Sequence, residues 1–119
     1  MHTSSKDFFK QNPEFAQRLN DCVQHLVHVF APEKIILFGS FARGEIKPKQ
    51  SGTMDIMVIA ETDLRFFDRI KKALESCKGG DPPIEPLIYT PSEFDMLLSQ
   101  GEGFIEDALE EGVVLYDKK

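Results

Sequence analysis

The chain has 119 residues, a mass of 13.5 kDa and a net charge of −6, from 14 basic and 20 acidic side chains. That length suits a single domain with one hydrophobic core, and the 41% hydrophobic and 29% charged residues exclude a disordered or fibrous protein. The acidic balance argues against general nucleic-acid binding, which depends on cationic side chains that neutralise phosphates.

The sequence predicts a soluble protein of the cytoplasm. No stretch is long and apolar enough to cross a membrane, and the start MHTSSKDFF lacks the apolar segment of an export signal. The two cysteines, Cys22 and Cys77, form no CxxC spacing. We therefore expect both to be free thiols of a reducing compartment, packed as small hydrophobic residues.

The N-terminal half is predicted to contain one long helix and two strands. After an N-terminal extension over residues 1–12, in which Ser4 and Ser5 can open a short helix, apolar residues recur at steps of three and four. This spacing predicts an amphipathic helix that Asn12 caps and that ends before Pro32. The helix spans Pro13–Phe30, a buried strand follows over Ile35–Phe38, a polar connection over Phe41–Gly52 and a second strand over Met54–Ala60.

The C-terminal half is predicted to alternate helices and strands. A helix over Asp63–Cys77 has Leu64, Phe67, Ile70 and Leu74 along one side. In the third strand, Ile84–Tyr89, Pro86 lacks an N–H group, so we expect either that this strand lies at the sheet edge or that Pro86 is placed where an N–H group would point away from a neighbouring strand. A helix from Thr90 through Leu98, a helix over Gly103–Glu111 and a strand over Val113–Tyr116 complete the chain. The pattern predicts one α/β domain of the α+β kind over residues 1–119, with its core in 13–119: a small mixed sheet flanked by helices.

Polar residues interrupt the apolar strands at a few positions that suit phosphate and metal chemistry. Gly39 lets the backbone pass close to a ligand and Ser40 adds a hydroxyl beside an N–H group, so this turn can hold phosphate oxygens. Asp55 and Glu85 lie in otherwise apolar strands, where an unpaired, desolvated carboxylate costs several kcal/mol. Two inward carboxylates on adjacent strands suit Mg²⁺, which prefers oxygen ligands and substrate phosphates.

These motifs resemble the minimal nucleotidyltransferases of the DNA polymerase beta superfamily. The matching stretches are LFGSFARGE, MDIMVI and IEPLIYTPSEFDMLL…GFIEDALEEGVVLYD, and the resemblance covers roughly Ile35–Tyr116, most of the chain. The resemblance implies the nucleotidyltransferase fold and transfer of a nucleoside monophosphate from a nucleoside triphosphate, expected to be ATP, to a hydroxyl group, with Mg²⁺ as cofactor. It also implies that Gly39 and Ser40 hold phosphate and that Asp55 and Glu85 bind metal and act in catalysis, Glu85 by helping to activate the attacking hydroxyl.

Thr53 stands where these proteins carry the first of three metal-binding acids. The connection between Ser40 and Thr53 is also about two residues longer than the family pattern. If Asp55 is aligned with the first acid instead, Met57 takes the place of the second, so one carboxylate is missing in either alignment. We interpret Thr53 as an ordinary β-branched strand residue. Because its hydroxyl carries no charge, we expect the transfer rate to be lower by roughly 10²-fold or more.

Basic side chains near the Gly39–Ser40 turn are candidates for triphosphate binding. Arg43 of the ARGE motif can contact a triphosphate, and the alternative is an ion pair with Glu45 or with an acid of the sheet. Lys47 and Lys49 could offset phosphate charge where the acid is lost, although a solvated loop is the simpler interpretation.

The incomplete carboxylate set leaves alternatives to an active enzyme open. The resemblance allows a catalytically degenerate binding module, an antitoxin-like partner of a helical HEPN-type protein. In that case Phe8 and Phe9 would form part of the contact surface, because exposed aromatic residues favour interfaces. A sensor that binds nucleotide without turnover, and a homo-oligomer, are further alternatives.

Overall fold

The computed structural model describes residues 9–43, 53–78 and 83–118, and a four-stranded sheet forms its centre. The strand order is β3-β2-β1-β4, with β1 antiparallel to both β2 and β4, and β2 parallel to β3. The elements in chain order are α1 (Pro13–Phe30), β1 (Lys34–Phe38), α2 (Ser40–Arg43), β2 (Met54–Ile59), α3 (Phe66–Cys77), β3 (Ile84–Tyr89), α4 (Pro91–Ser99), α5 (Gly103–Glu111) and β4 (Val113–Asp117). This is the predicted mixed sheet flanked by helices, and β3 lies at an edge as Pro86 indicated.

Helices cover both faces of the sheet, because alternate residues of each strand point to opposite sides. On the first face, α1 and α3 pack on a cluster that includes Leu26 and Ile56, both fully buried. On the second face, Met57 packs against Ile105 and Ala108 of α5. This second cluster is smaller than the first. Asp55 points to the second face as well, because residues 55 and 57 of a strand lie on the same side and residue 56 on the other.

The observed element boundaries lie within a few residues of the predicted ones, with two differences near the turn after β1 and in α3. Ser40–Arg43 form a short helix rather than the start of a polar connection, because Phe41 and Ala42 are buried. Residues 44–52, the rest of that connection, lie outside the described residues, as do Ser4 and Ser5. Asn12 occupies the N-cap position of α1, although its side chain makes no cap hydrogen bond.

The predicted apolar side of α3 is wrong. Phe67 is 81% exposed and Leu74 is 41% exposed, whereas the buried residues at four-residue steps are Arg69, Ala73 and Cys77. Ala73 is small, so the helix can approach the sheet closely at that step. The buried guanidinium of Arg69 then fixes the rotation of the helix.

Arg69 joins α3 to the end of β3 and the start of α4. Its Nε donates to the carbonyl of Leu64 at 2.8 Å, and its Nη1 donates to the carbonyl of Ile88 at 3.3 Å and to Glu93 Oε1 at 2.6 Å. Glu93 also accepts from the backbone N–H of Thr90, whose hydroxyl in turn accepts from the N–H of Glu93, so that α4 begins in a capping box. The buried cation is therefore fully partnered.

We expect Glu93→Gln to lower the free energy of unfolding by about 2 kcal/mol, because it leaves the buried Arg69 without a counter-ion. The hydrogen bonds from Arg69 lower the pKa of Glu93, so this contribution is present above the usual carboxyl pKa and is lost as the pH falls through the lowered value. Urea unfolding at pH 7 and at pH 3 measures both effects.

Glu111→Gln is the matched control: it breaks an exposed pair with Arg43 at 3.4 Å and should cost less than about 0.5 kcal/mol. Equal losses in the two variants would contradict the assignment.

The prediction of free thiols is wrong, because Cys22 and Cys77 form a disulfide. Cys22 lies on the buried side of α1 and Cys77 ends α3, and the packing of these helices brings their Cα atoms to 5.0 Å, within the range that a disulfide spans. Both residues are buried, as predicted. Free thiols therefore no longer support the predicted cytoplasmic location, which stays a prediction. Within the described residues, no helix combines the length and the apolar character needed to span a membrane.

Candidate functional site

The candidate site lies at the end of the sheet where β1 ends and β2 and β3 begin. Asp55 is paired with Phe38 of β1 on one side and with Glu85 of β3 on the other. Paired residues of neighbouring strands point to the same face, and neighbouring strands lie about 4.8 Å apart. The register therefore places Asp55 and Glu85 side by side on the second face, as the sequence predicted, but Glu85 is exposed rather than directed inward as expected.

The two acids differ in their surroundings. Asp55 is half-buried and Glu85 is exposed. Burial raises the pKa of Asp55 most, and the negative charge of Glu85 raises it further, while a hydrogen bond from Thr53 opposes the rise. A bound cation would reverse the effect of Glu85, so this pair of acids favours a positively charged ligand.

Thr53 lies just before β2, where its hydroxyl donates to Asp55 Oδ1 at 3.1 Å. The interpretation of Thr53 as an ordinary strand residue is therefore wrong. Its position on the same face as Asp55 follows from the two-residue period and could have suggested the contact. A hydroxyl here orients the carboxylate, although it supplies no charge of its own.

Gly39 directly follows β1, at the point where the backbone meets Asp55. Its φ of 78° is in the left-handed region, and a Cβ atom added here would lie 2.9 Å from Asp55 Oδ2. Ser40 follows at the start of α2, and the N–H of Arg43 donates to the carbonyl of Gly39 at 3.2 Å. The backbone of Gly39 and the carboxylate of Asp55 are consequently packed against each other.

Gly39→Ala should disturb both the backbone and the carboxylate. The left-handed conformation alone costs about 1–2 kcal/mol for a residue with a Cβ atom. Gly101→Ala is a matched control, since Gly101 has a φ of 72° but a Cβ atom there would meet only Glu106 Oε1, at 3.9 Å. We expect similar losses of stability in urea unfolding, whereas calorimetry should show a roughly tenfold loss of Mg²⁺–ATP affinity for Gly39→Ala only. An equal affinity in both variants would contradict the role of this contact.

Arg43 forms an ion pair with Glu111 at the end of α5, with 3.4 Å between Nη1 and Oε2. The sequence did not suggest this partner, because 68 residues separate the two. Glu45, Lys47 and Lys49, which entered the sequence-based alternatives, lie outside the described residues. The ion pair connects α5 to the short helix that follows the glycine–serine turn, so Glu111 belongs to the surroundings of the candidate site.

The donor set suits one Mg²⁺ ion that arrives with a phosphate ligand. Within residues 9–43, 53–78 and 83–118, no cluster of three or more His, Cys, Asp or Glu residues is placed to hold a metal ion. Asp55 and Glu85 supply two carboxylates and Thr53 a neutral oxygen. Mg²⁺ is commonly held by one or two carboxylates plus substrate phosphates, and these residues fit that arrangement.

Comparison with solved structures identifies the fold. The chain matches a crystal structure from Sulfolobus solfataricus, described as a "putative nucleotidyltransferase", with a TM-score of 0.64 over 99% of this chain and 91% of that chain. The chain has the nucleotidyltransferase fold. The sequence identity is 16%, so the likeness shows the fold alone, and the minimal and antitoxin-like subtypes stay predictions. No protein-family model and no curated protein matches the chain.

Of the two aromatic residues predicted for a partner surface, Phe8 and Phe9, the structure describes only Phe9. Phe8 lies outside the described residues. Phe9 is half-buried, packs against the core of the nucleotidyltransferase fold and has its ring centroid 6.5 Å from that of Phe41. Only part of its side chain is therefore available to a partner protein.

Proposed function

We propose that this protein is a nucleotidyltransferase that transfers a nucleoside monophosphate from a nucleoside triphosphate, with ATP as the expected donor, to a hydroxyl group, using Mg²⁺. The observation that carries the proposal is the in-register pair Asp55 and Glu85 beside the turn at Gly39. The fold supports it, and so does the resemblance of the motifs around these residues. Fold alone would not suffice, because one fold supports many functions.

The residues of the site divide the chemistry among them. Asp55 and Glu85 would hold the Mg²⁺, whose charge favours binding of the triphosphate and departure of pyrophosphate. The turn at Gly39 and Ser40 offers N–H and hydroxyl groups to phosphate oxygens. The hydroxyl oxygen of the acceptor forms a bond to the α-phosphorus, the bond from this phosphorus to the bridging oxygen breaks, and pyrophosphate leaves with the electron pair. Glu85, the exposed acid, accepts the hydroxyl proton.

The electrostatics of the pair predict how strongly the reaction depends on these acids. With two carboxylates instead of three, each one carries a larger share of the interaction with the cation. Asp55→Asn is therefore expected to lower the transfer rate by roughly 10²-fold or more. The measurement is transfer of label from α-³²P-ATP to a panel of protein and small-molecule hydroxyl acceptors, with Mg²⁺ or with EDTA. Asp68→Asn on the exposed surface of α3 is the matched control and should retain full activity.

The pH dependence gives a second test of the same residue. Protons and Mg²⁺ compete for Asp55, and its pKa is raised. The affinity for Mg²⁺–ATP should therefore decline as the pH falls through this raised value, at a higher pH than for an exposed aspartate. Asp55→Asn should remove this pH dependence in calorimetry. A wild-type protein that transfers no label, or label transfer that Asp55→Asn leaves unchanged, would refute the enzymatic proposal.

A binding module is the second candidate, favoured by the neutral Thr53 and by an apolar groove. The groove has a volume of about 610 Å³ and lies between α1 and β4. It is lined, among the described residues, mainly by apolar side chains: Phe9, Ala16, Leu19, Val23, Leu37, Val113 and Leu115. The resemblance suggests a helical protein of the HEPN type as the partner. Titration with such a purified protein distinguishes the candidates, because Val113→Lys should weaken partner binding and Asp55→Asn should not.

A further inference from the structure

The disulfide between Cys22 and Cys77 lies beneath the start of β3. Both sulfur-bearing residues line a cavity of about 390 Å³ together with Ile84, the first residue of β3. Ile84 is buried on the first face of the sheet, and the next residue, Glu85, points to the second face. The covalent link between α1 and α3 thus shares a cavity with the residue that precedes Glu85. Glu85 itself lies on the opposite face of the sheet, at the candidate site.

The start of β3 is held from both of its neighbours. On one side, the N–H of Met54 donates to the carbonyl of Pro83 at 2.9 Å, and Met54 directly precedes Asp55. On the other side, α3 packs on β3 and ends at Cys77, which the disulfide fixes to α1. The disulfide therefore fixes one end of the helix that packs on β3, the strand whose register places Glu85 beside Asp55.

We propose that the Cys22–Cys77 disulfide is a thiol–disulfide exchange site, and that its reduction loosens the start of β3 and weakens ligand binding by Asp55 and Glu85. The statement about ligand binding rests on the proposed function, whereas the statement about β3 does not. The reductant would be a dithiol, either a small molecule or a redox protein with two neighbouring thiols.

The exchange proceeds by two substitutions at sulfur. A thiolate of the dithiol attacks one cysteine sulfur, the S–S bond of the protein breaks, and the other cysteine leaves as a thiolate that takes up a proton. The second thiol of the reagent then breaks the mixed disulfide, so that the dithiol is oxidised and the two cysteines are reduced. Cys22 and Cys77 are only 3% and 5% exposed, so a reagent would reach the bond through the cavity that both residues line. Arg18 and Lys78 in its lining favour an anionic thiolate, although Asp21 is also present.

The test compares the oxidised protein with the protein in dithiothreitol. The two cysteines are the only ones in the sequence, so the reagent has no other disulfide to reduce. Alkylation and mass spectrometry report the redox state. Hydrogen exchange of the β3 amides reports the order of the strand, and Mn²⁺–ATP, as a probe, reports affinity at the carboxylates. Cys22→Ala/Cys77→Ala is the control that should match the reduced protein and ignore the reagent.

We expect faster exchange at the start of β3 after reduction, and a roughly tenfold weaker affinity for Mn²⁺–ATP. Two results would overturn the proposal: a disulfide that dithiothreitol reduces only in urea, or amides of β3 that exchange equally fast in both redox states. If the probe binds in neither state while β3 exchange changes, the proposed function fails and the exchange site stands. If the probe binds equally well in both states, the link to Asp55 and Glu85 is refuted although nucleotide binding is intact.

Discussion

Replacing Thr53 with Asp is expected to raise the rate of Mg²⁺-dependent nucleotidyl transfer by roughly 10²-fold. The hydroxyl of Thr53 lies 3.1 Å from Asp55 Oδ1, so a carboxylate at this position would join Asp55 and Glu85 within reach of one ion. The negative charge of the new carboxylate would attract the Mg²⁺ that accompanies the triphosphate. The measurement is the transfer assay with α-³²P-ATP, in which the variant and the wild type are compared at saturating Mg²⁺.

Two further variants separate charge from shape at this position. Thr53→Asn introduces a neutral amide with the shape of the aspartate side chain, and it should leave the transfer rate near the wild-type value. Thr53→Val keeps the shape but removes the hydrogen bond to Asp55, so the pKa of Asp55 should rise further above its usual value. Without Mg²⁺, Thr53→Asp should lower stability, because three neighbouring carboxylates repel one another, and Mg²⁺ should restore it. A Thr53→Asp protein with no gain in rate and no stabilisation by Mg²⁺ would show that the acids do not share an ion.

The strands and the placement of the acids could be predicted because they depend on local patterns. The two-residue period places Asp55 on one face of β2, and Pro86 indicates an edge strand, which the strand order confirms. The adjacency of Asp55 and Glu85 then needs only the parallel pairing of consecutive strands. The resemblance of the Gly39–Ser40 motif adds the turn. Short segments of sequence therefore predict most of the architecture that positions the candidate site.

The interactions that were missed join distant segments. The rotation of α3 depends on Arg69 and Glu93, an ion pair between two helices, so apolar spacing alone selected the wrong side. The pair Arg43–Glu111 and the disulfide Cys22–Cys77 likewise depend on how helices pack. Two cysteines allow a single disulfide, which the prediction of free thiols excluded. The expected compartment, rather than the geometry, decided against it.

Removing the disulfide is expected to lower the free energy of unfolding by about 4 kcal/mol, because it closes a loop between residues 55 positions apart and restricts the unfolded chain. Urea unfolding of the wild type with and without dithiothreitol measures the loss, and Cys22→Ala/Cys77→Ala should agree with the reduced wild type. Cys22→Ser/Cys77→Ser should be less stable still, since it places two hydroxyls at buried positions. If the oxidised and reduced wild type unfold at the same urea concentration, the bond contributes nothing to stability. In that case the packing of α1 on α3 would be sufficient to hold the helices together.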